Sequence, residues 1–151
     1  MMGLTAPAAP TLERPLVDLG VAGWQTLLDR HAAVFSEIQP GSRIGLMSKD
    51  DFEPPEAALL VWEATGGGMR AKYESFPGFD AVAVDLLLIA DDATIRNLHD
   101  SAHPDPLAEM KRKVRRRDIL LFVVKPRHQL IDNGYSEFLD CLGLVFMGTC
   151  R

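Results

Sequence analysis

Two short stretches most constrain what this chain can fold into. Ala81 to Ala90 reads AVAVDLLLIA, with one charge, and Ile119 to Val124 reads ILLFVV, with none. Both fall well short of the roughly 20 apolar residues needed to cross a bilayer. Neither has the polar face of an amphipathic helix. Each therefore predicts a strand with apolar neighbours on both faces, as found inside a sheet layered with helices.

The flanking segments supply those layers. Trp24, Leu27, Leu28, Val34, Phe35 and Ile38 recur at three- and four-residue intervals, which predicts one helix from Val21 to Gln39, stopped by Pro40 and Gly41. Arg43 to Ser48 and Ala57 to Thr65 read as strands separated by a Pro54-Pro55 break. Gly66 to Gly68 then turns the second strand back into Met69 to Ser75, where apolar and charged residues alternate as on a half-buried strand. Asp92 is placed to cap a helix through Ala102, and Asp105 with Pro106 to start another. After Pro126, residues Tyr135, Phe138, Leu139 and Leu142 mark a last helical face, and Leu144 to Thr149 a last strand. The expected fold class is α/β, with α+β as the alternative. It has a single mixed sheet, with an N-terminal helix and a β-hairpin or meander followed by a βαβαβ-like second half whose strands run parallel. The helices pack on the sheet.

At 151 residues the chain fits one domain, with residues 1–15 as a flexible Ala/Pro tail and 16–151 as a single globular α/β unit. Sixteen Lys and Arg against 21 Asp and Glu give a net charge of -5, a balance that disfavours bulk nucleic acid and anionic membrane. Cys141 and Cys150 are too few for a disulfide framework or a cysteine metal cluster, so the expected compartment is the reducing cytoplasm. No phosphate loop, dinucleotide fingerprint or nucleophile elbow is present, and no cofactor or metal is expected.

Against that acidic background stands Lys111-Arg112-Lys113-Val114-Arg115-Arg116-Arg117, six positive charges in seven residues. On a helix, Lys111, Arg112, Arg115 and Arg116 share one side, while Leu107, Met110 and Val114 form a narrow apolar stripe. Like charges four residues apart each cost roughly 0.2 to 0.5 kcal/mol, so something must offset them. The offset is either the helix dipole with acidic neighbours or an anionic partner. The first expectation is accordingly a small cytoplasmic binding or accessory protein, homodimeric. It would present Lys111, Arg112, Arg115 and Arg116, with the Met69 to Ser75 strand as a docking edge, to an acidic protein or a phosphate-bearing partner. Nucleic acid ranks behind these, and a membrane is not expected.

The alternative is a small hydrolase-like enzyme. Asp85 interrupts the first apolar strand, where a lone carboxylate must be paired, protonated or beside a cavity. Asp91 lies at the end of that strand, where open α/β sheets bind ligands, and His99 follows on the next helix. Together Asp85, Asp91 and His99 are the candidate catalytic set, with metal assistance as an option. The order helix, three strands, helix, strand is also similar to the core of the PD-(D/E)xK nucleases, a resemblance that implies two acids and a lysine around magnesium. Pro104-Asp105 and Glu109-Met110-Lys111 spell those letters within one helix. The pair better placed on strands is Asp51 with Glu63, and Thr65 stands where the lysine belongs.

Overall fold

The computed structural model describes residues 20–49, 58–78, 80–99 and 105–144. In chain order these form helices α1 (Val21–Arg30) and α2 (Ala32–Phe35), then strands β1 (Arg43–Ser48), β2 (Ala58–Thr65), β3 (Gly68–Ser75) and β4 (Leu86–Ala90). Helices α3 (Asp92–His99) and α4 (Pro106–Arg115), strand β5 (Ile119–Val123) and helices α5 (Arg127–Asp132) and α6 (Ser136–Cys141) follow. The strands make one mixed sheet in the order β3-β2-β1-β4-β5, an α/β fold with helices packed against a single sheet.

The hairpin forms where the glycines put it: β2 and β3 pair antiparallel from Ala58 with Ser75 to Thr65 with Gly68. Gly68, at φ +118, takes the backbone conformation that only glycine adopts without strain. β1 joins β2 antiparallel and β4 parallel. One row across the sheet holds Ala71, Trp62, Ile44 and Leu86, and this face meets the helices. Trp62 packs on Trp24 of α1 and Phe35 of α2, each at 6.2 Å between ring centres, and Phe35 on Phe138 of α6 at 5.3 Å. The Trp24 indole N–H donates to the Tyr73 hydroxyl at 3.1 Å, tying α1 to β3.

The other face holds the row Lys72, Val61, Gly45, Leu87 and Phe122. Leu59, Leu87 and Val84 crowd Gly45, so that a Cβ there would have to push their methyl groups aside by a few tenths of an ångström. Farther along this face Arg43, Glu63, Lys72 and Glu74 form a four-charge lattice, with Lys72 2.7 Å from Glu63 and Arg43 bonded to Glu74.

Several expectations need correction. The first helix is two: the chain breaks at His31 (φ -117), and residues after Phe35 turn toward β1. β5 runs antiparallel to β4. Two helices, α3 and α4, separate these strands, where a helical crossover predicts the parallel return of a βαβ unit. The stretch from Ile119 is not covered on both faces, because β5 is an edge strand with Leu120, Phe122 and Val123 exposed. Asp91, not Asp92, caps α3, accepting from the Thr94 N–H at 2.8 Å, while Asp92 accepts from the Ser48 hydroxyl. Pro126 does more than end β5: it stands at the N-cap of α5, a helix with no clear apolar periodicity in the sequence. The Pro54-Pro55 break, Ala102, and the expected strand from residue 145 onward lie outside the described residues.

Candidate functional site

Asp85, Asp91 and His99 do not come together. Asp85, 7% exposed, sits just before β4 and accepts from the Tyr135 hydroxyl at 2.6 Å and from the Arg43 backbone N–H at 3.0 Å. Its partner is therefore a tyrosine and a main-chain amide, not an arginine side chain. Burial, and then the bond to Asp85, push the Tyr135 phenol far above its ordinary range, so it stays a donor. Asp91 is six residues on, about 20 Å along the strand. There the Thr94 side chain and backbone hold its carboxyl below the usual aspartate range. His99 turns the other way: its ring N–H donates to the Gly20 carbonyl at 2.8 Å, and the ring stands edge-on to Trp24 at 5.1 Å, over Gly23. Each of the three has a packing or capping role where it stands. No cluster of three His, Cys, Asp or Glu side chains suited to a metal occurs among the described residues.

The nuclease-like pair fares no better. Glu63 is held by Lys72 and Arg43, with the Lys72 contact keeping its carboxyl below its usual range. The Thr65 hydroxyl is engaged in the hairpin turn with Gly67 and Gly68. Asp51 lies outside the described residues.

The basic helix is built as its residues dictate. The Asp105 carboxylate accepts from the Ala108 N–H at 3.2 Å and Pro106 opens the first turn. Leu107 and Met110 are buried, with Val114 half-buried beside them. The far end closes with the Arg117 N–H on the Val114 carbonyl and the Asp118 N–H on the Lys113 carbonyl. That reversal places Arg117 at φ 68, the left-handed position that glycine usually fills. Among the described residues it is the only non-glycine with positive φ, and holding it there costs about 1 to 2 kcal/mol.

The cations are only partly answered from within. Glu109 takes Arg112 in a close ion pair and Lys113 at 3.8 Å, and Asp118 takes Lys113 at 3.8 Å and Arg116 at 3.9 Å. Arg112 and Arg116 are 61% and 68% exposed, so water screens these contacts. The Lys111 stem runs along Gly143 of the turn after α6. Arg115 and Arg117 are exposed, and neither has an ion pair among the described residues. Among the described residues the ion pairs of these six cations go to two carboxylates, and Asp91 adds a third within electrostatic range of Lys113, so positive charge is left over at the end of α4.

The Met69 to Ser75 strand does not offer a free edge. The Gln25 side chain of α1 donates to the Met69 carbonyl at 2.9 Å and accepts from the Ala71 N–H at 2.8 Å, occupying two of the backbone groups a docking strand would need. Sequence reasoning missed Gln25, since one glutamine on a helix carries no signal of a strand partner 46 residues away. It also missed a cleft of about 650 Å³ between α1, α2 and the hairpin turn, lined by Leu28, Ala32, Phe35, Ile38 and Met69, with Gln25, Asp29, Ser36, Gln39 and Arg70 around them.

Taken together, fold and site describe a small α/β protein with a cationic surface and a cleft. No family model matches the chain, and no curated protein matches it significantly. Among solved structures it is similar to a UbiJ-SCP2 ubiquinone synthesis protein, at 15% identity and a TM-score of 0.43, covering 91% of this chain and 98% of that one. It is also similar to a conserved hypothetical protein of Thermus thermophilus described as a candidate sterol carrier protein, at 18% identity and a TM-score of 0.44, over 81% and 82% of the two chains. A third likeness is to a sterol carrier protein 2, at 16% identity and a TM-score of 0.45, over 85% and 93%.

Proposed function

We propose that this chain is a small binding or accessory protein that works by association, docking an anionic partner on the C-terminal end of α4. The surplus of cations over carboxylates there carries this reading, and Arg117, held in a strained conformation that glycine would fill more cheaply, supports it. Replacing Arg112, Arg115 and Arg116 together by glutamine removes three exposed charges of about 0.5 kcal/mol each. Affinity for a fluorescent polyglutamate at low salt should then fall roughly tenfold. Arg117→Gly separates function from stability: the variant should be about 1 kcal/mol more stable by urea unfolding, yet bind polyglutamate more weakly. A wild-type protein without salt-sensitive affinity for any polyanion refutes this role.

The cleft favours a second reading, a small amphipathic ligand whose apolar part rests on Phe35 and Met69 and whose polar part meets Gln25 or Arg70. A fluorescent fatty-acid analogue should bind saturably, and Gly67→Trp in the cleft wall should lower its affinity by about tenfold. Linear, non-saturating uptake would remove the cleft as a binding site.

A further inference from the structure

We infer that the outer edge of β5 takes up an extended segment of a partner protein, flanked by acidic residues, as a sixth strand of the sheet. This docking mode rests on the anion-binding reading above and gives it a geometry. The sheet has two edges, and they are treated differently. At β3 the Gln25 carboxamide already occupies the Met69 carbonyl and the Ala71 N–H. At β5 the hydrogen-bond pattern shows what is left over. Val124 N–H donates to the Asp85 carbonyl, and on β4 the Ala90 carbonyl accepts from Lys49 on the β1 side. Alternation along the antiparallel pair therefore turns Leu120, Phe122 and Val124 toward β4, and the amides and carbonyls of Ile119, Leu121 and Val123 outward. Among the described residues nothing pairs with those outward groups.

The usual protections of an edge are missing. Ile119 to Val124 contains no charge, proline or glycine that would discourage another strand. Leu120 is 45% and Val123 49% exposed, one on each face of the strand, so an added strand would cover apolar surface on both sides. Charge then narrows the occupant. Arg115, Arg116 and Arg117 precede the strand, with Asp118 next to it paired with Lys113 and Arg116, and Lys125 and Arg127 follow it, so both ends stay net positive. In an antiparallel pairing of two copies, the arginine cluster of one would lie beside Lys125 and Arg127 of the other, cation against cation. A segment with carboxylates at both ends meets opposite charge at both ends. A lipid surface would satisfy the apolar side chains but leave the outward amides without acceptors, whereas a peptide strand supplies them.

The test uses the full chain and a short peptide of alternating valine and threonine with glutamates at each end, alongside a lysine-ended version. Binding is read by fluorescence anisotropy and its location by amide hydrogen exchange. The glutamate-ended peptide should bind, the lysine-ended one should not, and exchange at Leu121 and Val123 should slow about tenfold or more on binding. Val123→Pro removes one outward N–H without touching the β4 ladder. It should weaken the peptide about tenfold while polyglutamate binding is retained. Exchange on the wild type decides the matter even if that variant does not fold. Peptide binding that leaves Leu121 and Val123 unprotected overturns strand addition and leaves the anion-docking reading standing. Failure of the wild-type protein to bind either the peptide or polyglutamate overturns both. Protection of the same amides by self-association at high concentration, or by phosphatidylserine vesicles without peptide, overturns the assigned occupant.

Discussion

Gly134→Ala should destabilise the protein by about 3 to 5 kcal/mol, from the sum of a left-handed backbone that alanine resists and an overpacked contact. Gly134 lies at the turn between α5 and α6 with φ +86, and a Cβ there would run into the Glu37 carbonyl and the Ile38 backbone. The neighbouring Asn133 carbonyl accepts from the Gln39 N–H at 2.8 Å, so this turn is bonded to the segment leading out of α2 and has no slack to retreat. Gly41→Ala is the control. Gly41 has φ +95, but nothing approaches the position of its absent side chain, so the substitution should cost only about 1 to 2 kcal/mol. Urea unfolding of the two variants measures the difference. Equal losses would mean that the α5–α6 turn is not seated against α2.

Asp85→Ala should cost about 3 kcal/mol, because it strands two donors, the buried Tyr135 hydroxyl and the Arg43 N–H. Asp85→Asn keeps an acceptor and should cost less than half as much. Tyr135→Phe leaves the carboxylate with the Arg43 N–H alone, and a double-mutant cycle with Asp85→Ala should show coupling of about 1 kcal/mol or more. The raised phenol adds a pH signature. A group whose folded pKa lies above its unfolded value contributes stability below the ordinary tyrosine range, and that contribution is lost as pH rises through and beyond about 10. Wild-type stability should therefore fall on the alkaline side of pH 10 more steeply than that of Tyr135→Phe. Additive substitutions and identical alkaline profiles would show that the two side chains do not act as a unit. Because Asp85 is taken up in this way, its place at the entrance to β4, in a stretch expected to be all strand, is a matter of holding β4, β1 and the Tyr135 turn together.

Local chemistry carried a good deal of this fold. The triple glycine gave the hairpin its turn, Asp105 and Pro106 opened α4 where expected, and the alternation from Met69 to Glu74 matched a strand with one wet face. The helix and strand order of the single mixed sheet was legible because apolar spacing and turn residues are properties of neighbours along the chain. The break at His31 was not, since the apolar stripe continues across it. Nor was α5, whose only buried side chain is Leu130.

The candidate sites divide along the same line. The cationic run was plain in the letters, and so was its excess over nearby acids. Whether Asp85 was reactive or paired depended on a tyrosine 50 residues away, and whether Met69 to Ser75 could dock depended on Gln25. Most telling is Ile119 to Val123. Its apolarity reads the same in a central strand and at an edge, because burial is decided by what lies alongside and sequence reports only what lies before and after. The amino-acid order alone determined that this chain makes apolar strands, capped helices and a concentrated positive charge. Only the tertiary structure decided which strand edge is bonded to a side chain and which, among the described residues, is left open beside that charge, since hydrogen bonds between strands and helices distant in sequence exist only once the chain has folded.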